Sequence, residues 1–178
     1  MEPSAEVEFV AYSSEFDRAL SECVRSCVHW ECRDVYTPTD PAFLRWKAGV
    51  KPDPLVDYAD WIEQVGTATA RGVEVRRLRV VSEPVTEYVR FEHFVTAMNL
   101  AAGEQVRWLS RSRAAGLLLP VVEGWVFDDD VIVLNHFAGE GDWLGEERLE
   151  DAAMASVYRE AFETAWDRGI PHDRYEIQ

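Results

Sequence analysis

Residues 57–82 read DYADWIEQVGTATARGVEVRRLRVVS, and the fold class turns on this stretch. Tyr58, Trp61, Ile62 and Val65 recur at three and four residues. That spacing gathers apolar side chains on one face of a helix. The helix is expected to run from about Asp57 to Arg71 and to stop at Gly72. Glycine takes the left-handed conformation of a helix end without steric cost. Val73 to Val81 follows at once, rich in β-branched residues, and reads as a strand. A helix feeding straight into a strand is the unit of a sheet with parallel neighbours and right-handed crossovers.

The same alternation extends in both directions. Upstream, Ser14 opens a helix, with Asp17 placed as the acid of a capping box and Phe16, Leu20, Cys23, Val24 and Cys27 on one face. Val28 to Asp34 then alternates: Val28, Trp30 and Cys32 point one way, and His29, Glu31 and Arg33 the other. Asp40-Pro41 starts a short helix carrying Phe43, Leu44 and Trp46 that ends at Gly49. Downstream, Ser82-Glu83-Pro84 reads as a helix start, with Tyr88, Phe91, Val95 and Met98 repeating until Ala101-Ala102-Gly103. Gln105 to Leu109 is a short strand. Trp125 to Asp128 and Val131 to Phe137 form a hairpin about Asp128-Asp129-Asp130. Leu149 to Arg168 is the last helix, stopped by Gly169 and Pro171. The expected fold is α/β. It is a single-domain mixed sheet, a parallel core plus an antiparallel hairpin, with helices on both faces. It occupies residues 14–178, after a short tail over residues 1–13.

The chain has 178 residues, 47% of them apolar and 29% charged, which is globular composition. No apolar run approaches the ~18 residues that span a bilayer. Met1 to Glu8 is acidic and polar, unlike a secretory leader. Cys23, Cys27 and Cys32 make an odd set without a C-x-x-C pair, which points to reduced thiols and a cytoplasmic setting. His29 is the lone nearby partner for a zinc site, and the Asp128–Asp130 acids read as a solvated turn, so no metal is expected. No phosphate loop, Rossmann glycine fingerprint, zinc helix or nucleophile elbow occurs, and no cofactor is expected.

Lys and Arg total 18 against 33 Asp and Glu, for a net charge of −15. Such a chain is a poor non-specific ligand for DNA or an anionic membrane. The charge is unevenly spread. Between Arg71 and Arg113 the cations are all arginine (Arg71, Arg76, Arg77, Arg79, Arg90, Arg107, Arg111 and Arg113), and they outnumber Glu74, Glu83, Glu87, Glu92 and Glu104. Arginine offers a planar fork for carboxylate or phosphate. Two readings stand: an anion or acidic-partner site on the central strands, or internal ion pairs with Glu31, Glu83 and Glu92. Arg77 and Arg79 share one strand face and Arg76 takes the other.

Two constellations carry candidate chemistry. His29, Glu31 and Arg33, on one strand face, have the spacing of a base oriented by a carboxylate. Open α/β sheets bind ligands beyond the carboxyl ends of their strands. Those ends supply Asp34 and Tyr36, Ser82 and Glu83, Arg111, and Asn135 with His136. Ser82 also precedes an expected helix, whose free N–H groups favour an anion.

Gly72-Val73 through Arg79-Val80-Val81, then Pro84, Tyr88, Arg90, Phe91 and Glu92, resemble an uncharacterised actinobacterial family, domain-of-unknown-function family 6879. So do Asn99, Ala102-Gly103-Glu104, Arg107, Trp125, Phe127, Asp128, Ile170-Pro171-His172 and Tyr175. The resemblance spans about Phe16 to Tyr175. Members tend to be encoded near helix-turn-helix regulators, which implies a regulatory or accessory role. The order of elements also looks like half of a phospholipase-D-type fold. That superfamily uses a His, a Lys two residues on and an acid five further. Here Ala138 follows His136 where the Lys belongs, and Asp142 falls one residue short. The resemblance then implies a fold that keeps a binding role and has lost its chemistry.

Three functions follow. The first is a non-catalytic cytoplasmic accessory protein that binds a helix-turn-helix transcriptional regulator or a small anionic ligand. The second is a hydrolase or transferase acting on a phosphorylated or nucleotide-like substrate, with His136 or His29 as base. The third is an acidic mimic of DNA that sequesters a basic protein. The candidate ligand-binding residues are Glu31, Arg33, Arg76, Arg77, Arg79, Ser82, Glu83, Arg90, Asn135 and His136, and no catalytic residue is assigned. A second copy of the chain is a further candidate partner. Nucleic acid and membrane are not.

Overall fold

The computed structural model describes residues 14–178. The tail expected over residues 1–13 lies outside the described residues. The elements follow in the order α1 (Ser14–Glu22), β1 (Ser26–Glu31), α2 (Pro41–Lys47), α3 (Pro54–Asp57), α4 (Ala59–Ala70) and β2 (Glu74–Val81). Then come α5 (Glu87–Val95), α6 (Ala97–Ala101), β3 (Gln105–Ser110), β4 (Glu123–Phe127), β5 (Val131–Phe137), β6 (Trp143–Glu150), α7 (Ala152–Trp166) and β7 (Ile170–Pro171). The strands form one seven-stranded sheet in the order β6-β5-β4-β1-β2-β3-β7. β1, β2 and β3 are parallel, and β4, β5 and β6 continue antiparallel from β1. The mixed sheet, its parallel core and its hairpin are those expected from the sequence.

Strand alternation divides the core. Cys27, Val75, Trp125, Phe127 and Val133 face α1 and α4 through Phe16, Leu20, Trp61 and Val65. Val28, Trp30, Leu78, Val80, Val126 and Ile132 face α7 through Tyr158, Phe162 and Trp166. Helices therefore cover both faces, and α7 covers one of them. Arg76, on the α7 side, lies against Phe162 and Trp166 and pairs with Glu163, Nη1 to Oε2 at 2.8 Å. Arg77 and Arg79 lie on the opposite face.

Several boundaries differ from expectation. The helix expected from about Asp57 is α4 and starts at Ala59, because Tyr58 (φ −121°, ψ 30°) leaves helical geometry between it and the short α3 upstream. The helix expected at Ser82 begins at Glu87. Thr86 caps it through Oγ1, which accepts the Val89 N–H at 3.1 Å, while the Ser82 hydroxyl is engaged with Asp34. The last helix starts at Ala152, not Leu149, because residues 143–150 pair with β5 as a strand that the sequence pattern does not mark. β1 ends at Glu31, so Arg33 leaves the strand face that it was expected to share with His29 and Glu31.

Candidate ligand site

The sheet face opposite α7 carries charge at its carboxyl end. His29 and Glu31 on β1 sit beside Arg77 and Arg79 on β2, because the parallel register pairs His29 with Arg77 and Glu31 with Arg79. All four are buried, Arg79 to 4% exposure. Buried charge persists only when paired and hydrogen-bonded. Glu31 Oε1 accepts from Arg77 Nη1, and its Oε2 accepts from Arg79 Nε at 2.5 Å. Arg77 Nε donates to Glu104 Oε2 at 3.0 Å. Glu104 Oε1 also accepts the Trp61 indole N–H at 2.6 Å and the Asn99 amide at 2.8 Å. Arg79 Nη1 donates to Thr96 Oγ1, and Glu92 Oε1 lies 3.8 Å from Arg79 Nε. The internal ion pairing expected for Arg77 and Arg79 is therefore present with Glu31 and Glu92. Glu83 instead accepts from the Tyr175 hydroxyl at 2.9 Å.

Aromatic rings wall this layer. The Arg77 guanidinium lies 4.9 Å from the Trp125 ring centre and 5.3 Å from that of Trp61, and Arg79 lies 5.1 Å from Trp108. His29 stacks on Trp125 at 4.0 Å and donates Nδ1–H to the Gly124 carbonyl. Burial opposes charge on Glu31, but Arg79 and Arg77 outweigh it and hold its carboxyl well below the ordinary range. At Glu92 burial wins over Arg79, and the carboxyl is pushed up to about 8. Burial also lowers the His29 pKa, against the pull of Glu31.

A cavity of about 240 Å³ opens over the layer, lined by Phe16, Glu31, Trp61, Arg77, Arg79, Met98, Trp125 and Glu146. Among the described residues no hydrogen bond engages Nη2 of Arg77 or of Arg79. Apolar walls, a few convergent polar groups and shifted pKa values are the usual marks of a small-ligand site.

The other sequence candidates sit elsewhere. Ser82 N–H and Oγ–H both donate to the Asp34 carboxylate, at 2.8 and 2.6 Å, and Arg111 Nη2 donates to the Cys32 carbonyl at 2.9 Å. The strand ends thus bring Asp34, Ser82 and Arg111 together in a closed set of bonds. Ser82 does not head a helix, so the helix N-terminus expected to favour an anion there is absent. Tyr36 donates to Glu123 Oε1 at 2.8 Å, and burial pushes the Glu123 carboxyl up to about 7. Arg33 reaches the Ala138 carbonyl and lies over Phe137. Arg90 is exposed and approaches the Gln178 carbonyl at 3.4 Å. Asn135 lies opposite Glu123 and Glu146 on neighbouring strands, and His136 Nε2 meets Glu147 at 3.1 Å, partly exposed. Of the ten candidates, the cavity gathers Glu31, Arg77 and Arg79. Glu92, Asn99, Glu104 and Trp125 complete the layer. From the sequence, Glu92 is an expected ion-pair partner and Glu104 one of the acids of the arginine-rich segment, whereas Asn99 and Trp125 enter only through the resemblance; two arginines two apart on a buried strand face call for acids.

A family model described as "Domain of unknown function (DUF6879)" matches residues 14–177. No curated protein matches the chain. Among solved structures the chain is similar to Nuc from Salmonella typhimurium, a phospholipase D family member, with a TM-score of 0.49 and 12% identity over 87% of this chain and 86% of that one. It is also similar to TrmBL2, an archaeal chromatin protein, with a TM-score of 0.48 and 10% identity over 87% of this chain and 48% of that one.

Proposed function

We propose, taking as premise that the chain belongs to the DUF6879 domain family, that it is a non-catalytic accessory protein that binds a small anion over Glu31, Arg77 and Arg79. The observation that carries this reading is the cavity lined by two guanidiniums, each with Nη2 outside the pairing among the described residues. Guanidinium N–H groups in a partly dry site are strong partners for a carboxylate. A binding role rather than turnover is supported at His136, which pairs with Glu147 and has Ala138 where phospholipase-D-type chemistry needs a lysine. On this reading the protein presents a bound ligand to a partner, and a helix-turn-helix regulator is the partner suggested by the family resemblance.

The test is calorimetric titration of the full chain with phosphate, simple carboxylates and nucleotides. Met98→Trp serves as a cavity-filling control that leaves the ion pairs untouched. Saturable one-to-one binding of an anion, lost in Met98→Trp, is expected. Binding of no anion, or binding that survives the filled cavity, would overturn the proposal.

A further inference from the structure

The charged layer does not balance. It holds two guanidiniums, Arg77 and Arg79, and three carboxylates, Glu31, Glu92 and Glu104. Glu31 is shared by both arginines. Glu104 is held by Arg77, Trp61 and Asn99. Glu92 is the odd one. Its closest guanidinium contact, to Arg79 Nε, is 3.8 Å, too long for a hydrogen bond, and among the described residues no hydrogen bond reaches its carboxylate. Arg79 is already committed, with Nε on Glu31 and Nη1 on Thr96.

This geometry constrains what the cavity can take. With Glu92 ionised the layer carries one excess negative charge, and an added anion makes two, held out of water and close together. Like charges in such a site disfavour joint ionisation. With Glu92 protonated the layer is neutral, and the unused Nη2 groups can take one acceptor pair. A dianion would again leave two excess negative charges, whereas a monoanion leaves one, and a planar monocarboxylate matches guanidinium N–H geometry. Trp61, Trp125, Phe16 and Met98 make most of the remaining lining apolar, and Glu146, the other lining residue, adds a carboxylate that weighs further against a dianion. Resting on the small-anion reading above, we infer that the ligand is a small monocarboxylate with an apolar or aromatic body, and that it is bound together with one proton carried on Glu92.

The groups that face Glu92 set this coupling. Arg79 and Arg77 on β2 favour its charged form, while Glu31 on β1 and Glu123 on β4 oppose it. Burial keeps Tyr88 on its own helix and Tyr36 in the loop after β1 protonated through neutral pH, and the charge of Glu92 acts in the same direction. Burial outweighs the arginines and leaves Glu92 titrating near 8, so the proton is available in the neutral range. Affinity is therefore highest below pH 8. It falls above that, by up to roughly tenfold per pH unit, as the free protein loses the proton that the complex needs.

The experiment is calorimetric titration of the full chain with benzoate, phenylacetate and indole-3-acetate, with inorganic phosphate for comparison, from pH 6.5 to 9.5. Two buffers of different ionisation heat at pH 8.5 read proton uptake directly on the unmodified protein. The expected result is carboxylate binding that weakens at least tenfold across the range, with proton uptake at pH 8.5. Glu92→Gln should bind with a flat pH profile and no uptake. Carboxylate binding without uptake, a slope that persists in Glu92→Gln, or phosphate binding as tight as the carboxylates would overturn this inference and leave the small-anion reading standing. If neither the carboxylates nor phosphate binds, both fall.

Discussion

Asp128 shows how much one side chain can hold. The sequence reads residues 128–130 as a solvated acidic turn, and the turn is there, with Asp128 at φ 51° and Asp129 at φ 74°. Its carboxylate, however, turns back to accept the backbone N–H groups of Val24, Arg25 and Ser26 at 2.7, 2.7 and 3.0 Å. It thereby clasps the α1–β1 connection to the hairpin. Burial opposes the charge, but these donors hold the carboxyl below its ordinary value. Asp128→Asn keeps a residue that tolerates positive φ but loses the charge. It should destabilise the protein by about 1–2 kcal/mol in urea titration, discounted from the full value of charge-assisted bonds because the site is partly exposed. At the buried end, Glu92 and Glu123 are raised to about 8 and about 7. Raised carboxyls favour the protonated fold. Their stabilisation is complete below the ordinary carboxyl pKa and is lost as pH rises toward the folded values. The melting temperature should therefore drop between pH 6 and pH 9, and Glu92→Gln should reduce that drop. A melting temperature that rises over this range would contradict the assignment. Glu31 acts in the opposite sense, held low by Arg79 and Arg77 against burial, so its stabilisation is lost as the solution is made strongly acid.

Elements were legible where period and punctuation agreed. Gly72 ends α4 with φ 94°, and the strand after it is β2 as read. The hairpin of β4 and β5 was legible for the same reason. β6 was not. Its residues WLGEERLE lie at the sheet edge and are half-exposed on both faces, so no apolar alternation marks them. Edge strands of this kind carry charge as a guard against pairing with other chains. β7 is two residues held against β3 by Tyr175 stacked on Trp108 at 5.3 Å, a tertiary cause that no local pattern records. The sequence pattern places the start of α5 too early because two serine/threonine caps compete within five residues. Ser82 is claimed by Asp34, and Thr86 becomes the cap, with its hydroxyl also donating to the Asp34 carbonyl at 2.7 Å. Thr86→Ala should cost about 1 kcal/mol or more by chemical denaturation, and Ser82→Ala should leave the helix content unchanged. A Thr86→Ala variant as stable as the parent would contradict the cap.

Across the whole molecule, the sequence determined the layers and the sign of the charge, but not which charges meet. The alternation of helix and strand implied the parallel core, and the odd-even pattern of β2 placed Arg77 and Arg79 together. Glu92 and Glu104 lie 13 and 27 residues from their arginine partners, on a helix and in a turn. Only the crossovers from β2 to β3 bring them over the sheet. The cavity exists because α1, α4 and α6 arch over that buried layer without filling it. The most direct test watches the indole N–H resonances of Trp61 and Trp125 during a benzoate titration at pH 7. The account predicts saturable shifts of both signals, absent in Met98→Trp. Signals that stay still, or that move alike in the filled-cavity variant, would contradict it.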